Sequence, residues 1–302
     1  MTAPMNKILK IAKIELNVLF YSPIAWLLLA VFLVQSSVHL FESLLGIRTS
    51  LSSGYPITQS LTAILLSAQP GGLAYSVLNS LYMYIPILTM GLMSREMSSG
   101  SIKLLQSSPD KVREIVLGKY LAIITFGLAF VAIVACCNLV GFYAIKSADV
   151  GLMLASLLSI YVLLCTYAAI GLFMSCLTSY QIVAFISTIA VFGVMGYVRG
   201  VWQDIDFVRD LTYFLSISGR ANKMGTGLIT TKDLFYFLII IASFLLMSGL
   251  KLRSSMESKP WRVHAAKYAA LAACALLLGY VTSRPSLTGY LDVTAQKSQT
   301  IT

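Results

Sequence analysis

Apolar runs long enough to cross a bilayer, with no Asp, Glu, Lys or Arg inside them, recur along this chain. A spanning helix needs about 20 mostly apolar residues, because lipid leaves each backbone N–H and C=O to be satisfied within the helix. Seven such runs lie near residues 24–41, 75–93, 120–145, 152–175, 182–198, 234–252 and 268–282, the fifth and seventh being short. Hydrophobic residues make up 58 % of the 302 positions and charged ones 11 %, against about 25 % charged in a soluble domain. That balance excludes a soluble enzyme and a disordered chain. It also excludes a nucleic-acid partner, despite a formal charge of +10. A mid-bilayer charge costs about 2.5–3.5 kcal/mol or more and commonly marks an ion path, so charge-free spans argue against a proton- or sodium-coupled pump.

Basic loops set the expected orientation. With the N-terminus inside, the inner segments hold 13 basic and five acidic residues and the outer segments nine and seven, net +8 against +2. The expectation is a multi-pass protein with N-terminus cytosolic and C-terminus extracytoplasmic. Residues 1–22 form an amphipathic helix, with Met5, Leu9, Ala12, Leu16, Leu19 and Phe20 on one face and Asn6, Lys10, Lys13 and Asn17 on the other. Such a helix suits the inner leaflet. Two outer segments carry apolar helical spacing, near 57–68 and 206–217, the second ended by Ser218-Gly219. His39 reads as an interfacial residue, Asn79 and Asn138 as helix–helix glue, and Pro86 as shaping a cavity-facing wall. Cys136, Cys137, Cys165, Cys176 and Cys274 sit in or beside apolar runs without a CxxC, and read as small hydrophobes. Residues 254–302 comprise a polar linker, the seventh span and the start of an extracytoplasmic segment.

The inner stretch 94–120 is the most informative. Gly100 breaks the chain; Ile102, Leu104 and Leu105 form an apolar patch beside Lys103; Pro109 stops that element and Asp110 can cap the next helix. An apolar face on a water-facing loop is presented to another protein. The chain has no GxxxxGK[ST], so nothing in it cradles ATP phosphates. It is expected to be no enzyme and to hold no cofactor or metal; if ATP drives it, ATP and Mg sit on a separate subunit.

The run Ile85-Pro-Ile-Leu-Thr-Met90, then Arg95-Glu96, Ser99-Gly100-Ser101-Ile102, Leu104-Leu105, Ser108-Pro109 and Gly118-Lys119 resembles the signature of ABC-2 type permeases. That pattern reads P-L-L-T-M, E-x-x-x-G-T-I-x-L-L-x-x-P, then G-K; Ser101 stands where Thr is usual and keeps the hydroxyl. The resemblance implies an all-α integral membrane protein. Its permease domain, residues 23–253, would be a six-helix transmembrane bundle of the type V exporter kind, with a seventh span added. It also implies a coupling loop that docks on an ABC ATP-binding subunit through Arg95, Glu96, Gly100, Ser101, Ile102, Leu104, Leu105, Ser108 and Pro109. In that role Ile102, Leu104 and Leu105 meet the ATPase, Arg95 and Glu96 fix the loop to the bundle, Gly100 permits the turn and Ser101 caps a short helix. A second permease copy or a homologous subunit is the other expected partner, in a bacterial inner membrane. Within the family, the segment around Gly225–Asp233 and the tail from Gly289 are similar to the gliding-motility-associated (Gld-type) branch. The tail implies fusion to the start of a partner subunit with an extracytoplasmic domain, or a fragment of a longer fusion. Two functions follow as alternatives: export driven by the ATPase, or a non-transporting complex that relays ATPase motion to an outer domain.

Overall fold

The computed structural model describes residues 4–54, 60–101, 112–145, 148–198, 217–254, 266–274 and 290–293. Its helices, in chain order, are α1 (Pro4–Tyr21), α2 (Pro23–Ser52), α3 (Leu61–Leu66), α4 (Leu73–Thr89), α5 (Gly91–Ser98), α6 (Val112–Ala144), α7 (Val150–Leu177), α8 (Gln181–Val198), α9 (Ile217–Gly225) and α10 (Thr231–Ser254), followed by a helical stretch at 266–274. Two short strands, β1 (Leu228–Thr230) and β2 (Tyr290–Asp292), pair antiparallel with Ile229 opposite Leu291. Five stretches are long and apolar enough to cross a membrane: Pro23–Ser52, Leu73–Ser98, Val112–Tyr143, Val150–Leu177 and Thr231–Arg253; Gln181–Tyr197 is apolar but shorter. This is an all-α membrane bundle with one small strand pair. Of the expected seventh span, residues 275–282 lie outside the described residues, as does most of the outer helix expected at 206–217.

The bundle has two ends. At the loop end, α5 runs out and α6 begins, on either side of residues 102–111. At the far end lie the turn at Gly71–Gly72, the start of α7, helix α9 and the strand pair. α7 stands in the middle: Ile160, Leu163, Leu164, Ala169, Ile170 and Leu172 are fully buried. Lipid tails give apolar helices little reason to associate, so close packing at small residues supplies the contact. A Cβ on Gly171 of α7 would sit 2.2 Å from Thr89 Oγ1, and one on Gly127 of α6 would sit 2.4 Å from a Leu164 methyl. An aromatic chain joins four helices: Phe20 against Phe126 (5.3 Å), Phe130 against Phe32 (4.8 Å) and Phe32 against Tyr84 (5.3 Å), all edge-to-face. Such pairs contribute about 0.5–1.5 kcal/mol each beyond their burial.

Several elements depart from the sequence reading. α2 continues to Ser52, past the expected end at 41, because Gly46 stays helical and the backbone turns left-handed only at Gly54, whose φ is +74°. At about 1.5 Å per residue its length exceeds a bilayer core, so its last turns stand clear of the apolar layer. Ser218-Gly219, expected as the stop after the outer helix at 206–217, lies in the first turn of α9, which starts at Ile217 and runs to Gly225. Ile217, Ala221 and Met224, three and four apart, are buried beneath it, and the stop comes at Gly227 with φ +101°. Pro86 is buried within α4 and lines none of the cavities described below. α1 lies along α6, with a Cβ at Gly118 meeting Ile11 at 2.7 Å. Ile11, Leu16 and Leu19 pack on the core, while Met5, Leu9, Ile14 and Val18 are exposed.

Candidate functional site

The loop end is organised around α5, an eight-residue helix that carries Arg95 and Glu96 and leads into Gly100 and Ser101. The helical ladder is interrupted after Met90, whose N donates to Pro86 O (2.9 Å), so α5 opens with amides that have no backbone partner in the preceding turn. α7 supplies one. Ser175 Oγ, fully buried, accepts from Met93 N (3.0 Å) and Ser94 N (3.1 Å) and donates to Met90 O (3.0 Å). A serine of another helix thus does the work of an N-cap.

The other end of α5 is held by charge. Lys119 of α6 is 2 % exposed; its Nζ lies 2.5 Å from Glu15 Oε1 on α1 and 2.6 Å from Glu96 Oε1 on α5. A buried ammonium needs such partners, since an unpaired one costs several kcal/mol. One lysine therefore ties three elements: the interfacial helix, the helix before the loop and the helix after it. Beyond Glu96 the chain turns at Gly100, whose φ of +72° suits glycine. Ser101 Oγ donates to Glu96 O (3.4 Å) and meets Ser99 Oγ at 2.8 Å. Of the sequence-derived residues, Arg95, Glu96, Gly100 and Ser101 fall at this junction; Ile102, Leu104, Leu105, Ser108 and Pro109 lie outside the described residues.

The far end has its own buried ion pair. Arg220 of α9 is 2 % exposed; its guanidinium donates to Asp233 Oδ1 of α10 (2.7 Å) and lies 4.3 Å from the Tyr236 ring centroid. Thr230 Oγ1 donates to Asp233 Oδ2. α9 is seated on α7 by Ser159 Oγ donating to Ala221 O (2.6 Å), and Ala68 N donates to Gly225 O (3.3 Å). β2 reaches the same place: Val293 N donates to Gly227 O (3.0 Å), and Val293 O would stand 2.1 Å from a Cβ on Gly151.

Along α2, a polar ladder faces α4. Tyr84 OH donates to Gln35 Oε1, Gln35 Nε2 lies 3.4 Å from His39 Nε2, and His39 Nδ1 lies 3.3 Å from Glu42 Oε2. His39, read as interfacial, thus sits within a polar chain that walls cavities of about 380 and 360 Å³. Asn79 is exposed and lines the second cavity, and Asn138 is buried with neither amide atom bonded. Neither makes the interhelical hydrogen bond that its polarity suggested, because among the described residues no complementary side chain bonds it. The ladder ends at Gln35: from Pro23 to Val34 every α2 side chain is apolar.

Helical content, spanning lengths and burial together define a multi-pass membrane protein. Residues 9–205 match the model of the ABC-2 family transporter protein. The chain belongs to that family, as a membrane permease subunit. Membership implies an ABC ATPase as partner, and family membrane subunits are generally non-catalytic. No match appears among curated proteins.

Sequence reasoning missed three contributors. Ser175 is one small polar residue in an apolar helix and gave no signal. Glu15 was the lone acid among basic residues of the amphipathic segment, and that isolation was a usable sign. Arg220 and Asp233 are opposite charges flanking a turn, readable as a pair only once α9 and α10 are known to be adjacent.

Proposed function

We propose that this chain is the permease half of an ABC exporter in a bacterial inner membrane, driven by a separate ATPase that docks on residues 94–119. The N-terminus is cytosolic and the C-terminus extracytoplasmic. Two permease chains, identical or homologous, form the working unit, and ATP and Mg reside on the ATPase. The supporting observation is the junction of α5. Ser175 grips its start and Lys119 its end, so a push on the loop moves α5, α6 and α1 together. Ile102, Leu104 and Leu105 make the apolar contact. Truncating a buried interface leucine can cost about 2 kcal/mol or more. Leu104→Asp and Leu105→Asp should each abolish co-purification of the ATPase, with insertion of the permease unchanged, and Lys103→Ala should have little effect. ATPase retained at wild-type stoichiometry in both aspartate variants would refute the loop's role.

A second reading has its own support. The apolar run of α2 below Gln35 offers no polar path along that helix, and β2 couples the far end directly to the chain beyond Val293. Both suit a gliding-motility-type complex that relays motion to an extracytoplasmic domain, with residues 254–302 joining the permease to that domain. Reconstituted vesicles that show ATP-driven conformational change without solute movement would select this reading.

A further inference from the structure

A cavity of about 570 Å³ opens at the loop end between α6, α10 and the helical stretch 266–274, a size within the usual span of small-ligand sites, about 300–1,000 Å³. Its rim carries three cations, Arg113 at the start of α6, Arg253 in the last turn of α10 and Lys267 at the start of 266–274. Among the described residues no acidic side chain lines it and none of the three makes an ion pair. The wall below is apolar, with Leu246 and Leu271. Leu246 lies seven residues before Arg253, about 10 Å deeper along the helix axis. Gly249 stands between them, and a Cβ built on it meets nothing within 4 Å.

We propose that this cavity binds an anionic glycerophospholipid, with the phosphodiester among Arg113, Arg253 and Lys267 and the acyl chains along Leu246 and Leu271. Three cations above an apolar slot, with no acid beside them among the described residues, match a phosphate joined to hydrocarbon. Free phosphate would leave the slot bare, and a zwitterionic lipid would bring its own cation to a cationic rim. Basic pockets between spanning helices hold lipid headgroups in this way. The bound lipid would fill the gap between α10 and 266–274 and fasten that helix to the bundle. The inference needs only that the chain spans a membrane, and stands apart from the coupling reading.

Native mass spectrometry of the full chain, delipidated in detergent and titrated with phosphatidylglycerol, phosphatidylcholine or inorganic phosphate, tests it. Phosphatidylglycerol should bind with about one-to-one stoichiometry and raise the melting temperature; the other two should do neither. Each removed cation should weaken binding about fivefold, given about 1 kcal/mol per basic residue near an anionic surface, and Arg113→Gln/Arg253→Gln/Lys267→Gln together by about a hundredfold. Gly249→Phe keeps every charge and fills the slot, so it should also lose the lipid, with helical content unchanged by circular dichroism. Equal retention of phosphatidylglycerol and phosphatidylcholine, phosphate alone reproducing the stabilisation, or full lipid occupancy in both the triple variant and Gly249→Phe would overturn the proposal. So would a triple variant that keeps the lipid but sheds the ATPase, which would make the rim a protein contact.

Discussion

Among the described residues the bundle buries one cation at each end, and the two settings differ in a useful way. Arg220 pairs with Asp233 and is stacked on Tyr236, with both members of the ion pair almost wholly enclosed (2 and 4 % exposed). Lys119 faces two carboxylates, each about one-fifth exposed, from two other elements. The far-end pair is local, joining two helices separated by a short turn. The loop-end cluster carries an excess negative charge and joins segments distant in the chain. The first arrangement seals a joint; the second leaves one that a neighbouring charge can re-bias.

Predictions follow from that contrast. The largest effect belongs to Arg220→Met, which strands Asp233 in a closed site. Breaking a buried pair from one side costs about 3–5 kcal/mol, so monodisperse protein should largely disappear from detergent extracts. Adding Asp233→Asn should recover much of it. Lys119→Met strands two glutamates that water still reaches, and should cost less, about 2 kcal/mol, read as a lower melting temperature. Glu15→Gln/Glu96→Gln in that background should restore it. If Lys119→Met proves the costlier of the two, the contrast between the ends is wrong. Ser175→Ala removes one acceptor from two amides, for about 1–2 kcal/mol. Hydrogen exchange should rise across 91–98 and stay unchanged across 217–225. Smallest in stability is Glu96→Gln, whose amide oxygen still accepts from Lys119. It should melt within about 1 kcal/mol of wild type yet stimulate the ATPase less, as turnover in the reconstituted complex would show.

How far the chain was readable follows from the range of the forces involved. Spanning helices announce themselves through about 20 consecutive apolar residues, a local property, and five of the expected spans match long apolar helices, the sixth being the shorter α8. The turn at Gly100 was equally local. What escaped is long-range. Ser175 reaches α5 across 82 residues of sequence and Lys119 reaches Glu15 across 104, and neither serine nor lysine advertises its partner. Helix α9 escaped for the same reason. Ser218-Gly219 reads as a stop signal in isolation, but Ala221 and Met224 are buried against the bundle in the helix that starts at Ile217.

Antiparallel pairing of β1 with β2 also closes the chain between Gly227 and Val293 into a ring containing α10 and 266–274. Closure cost grows only logarithmically with ring length. Once the strands are joined, 266–274 is tethered to the bundle at both ends rather than one, which raises its effective concentration beside α10. That helix is mostly exposed along its described length, and the ring lets it stay beside α10 without burying a wide face of its own.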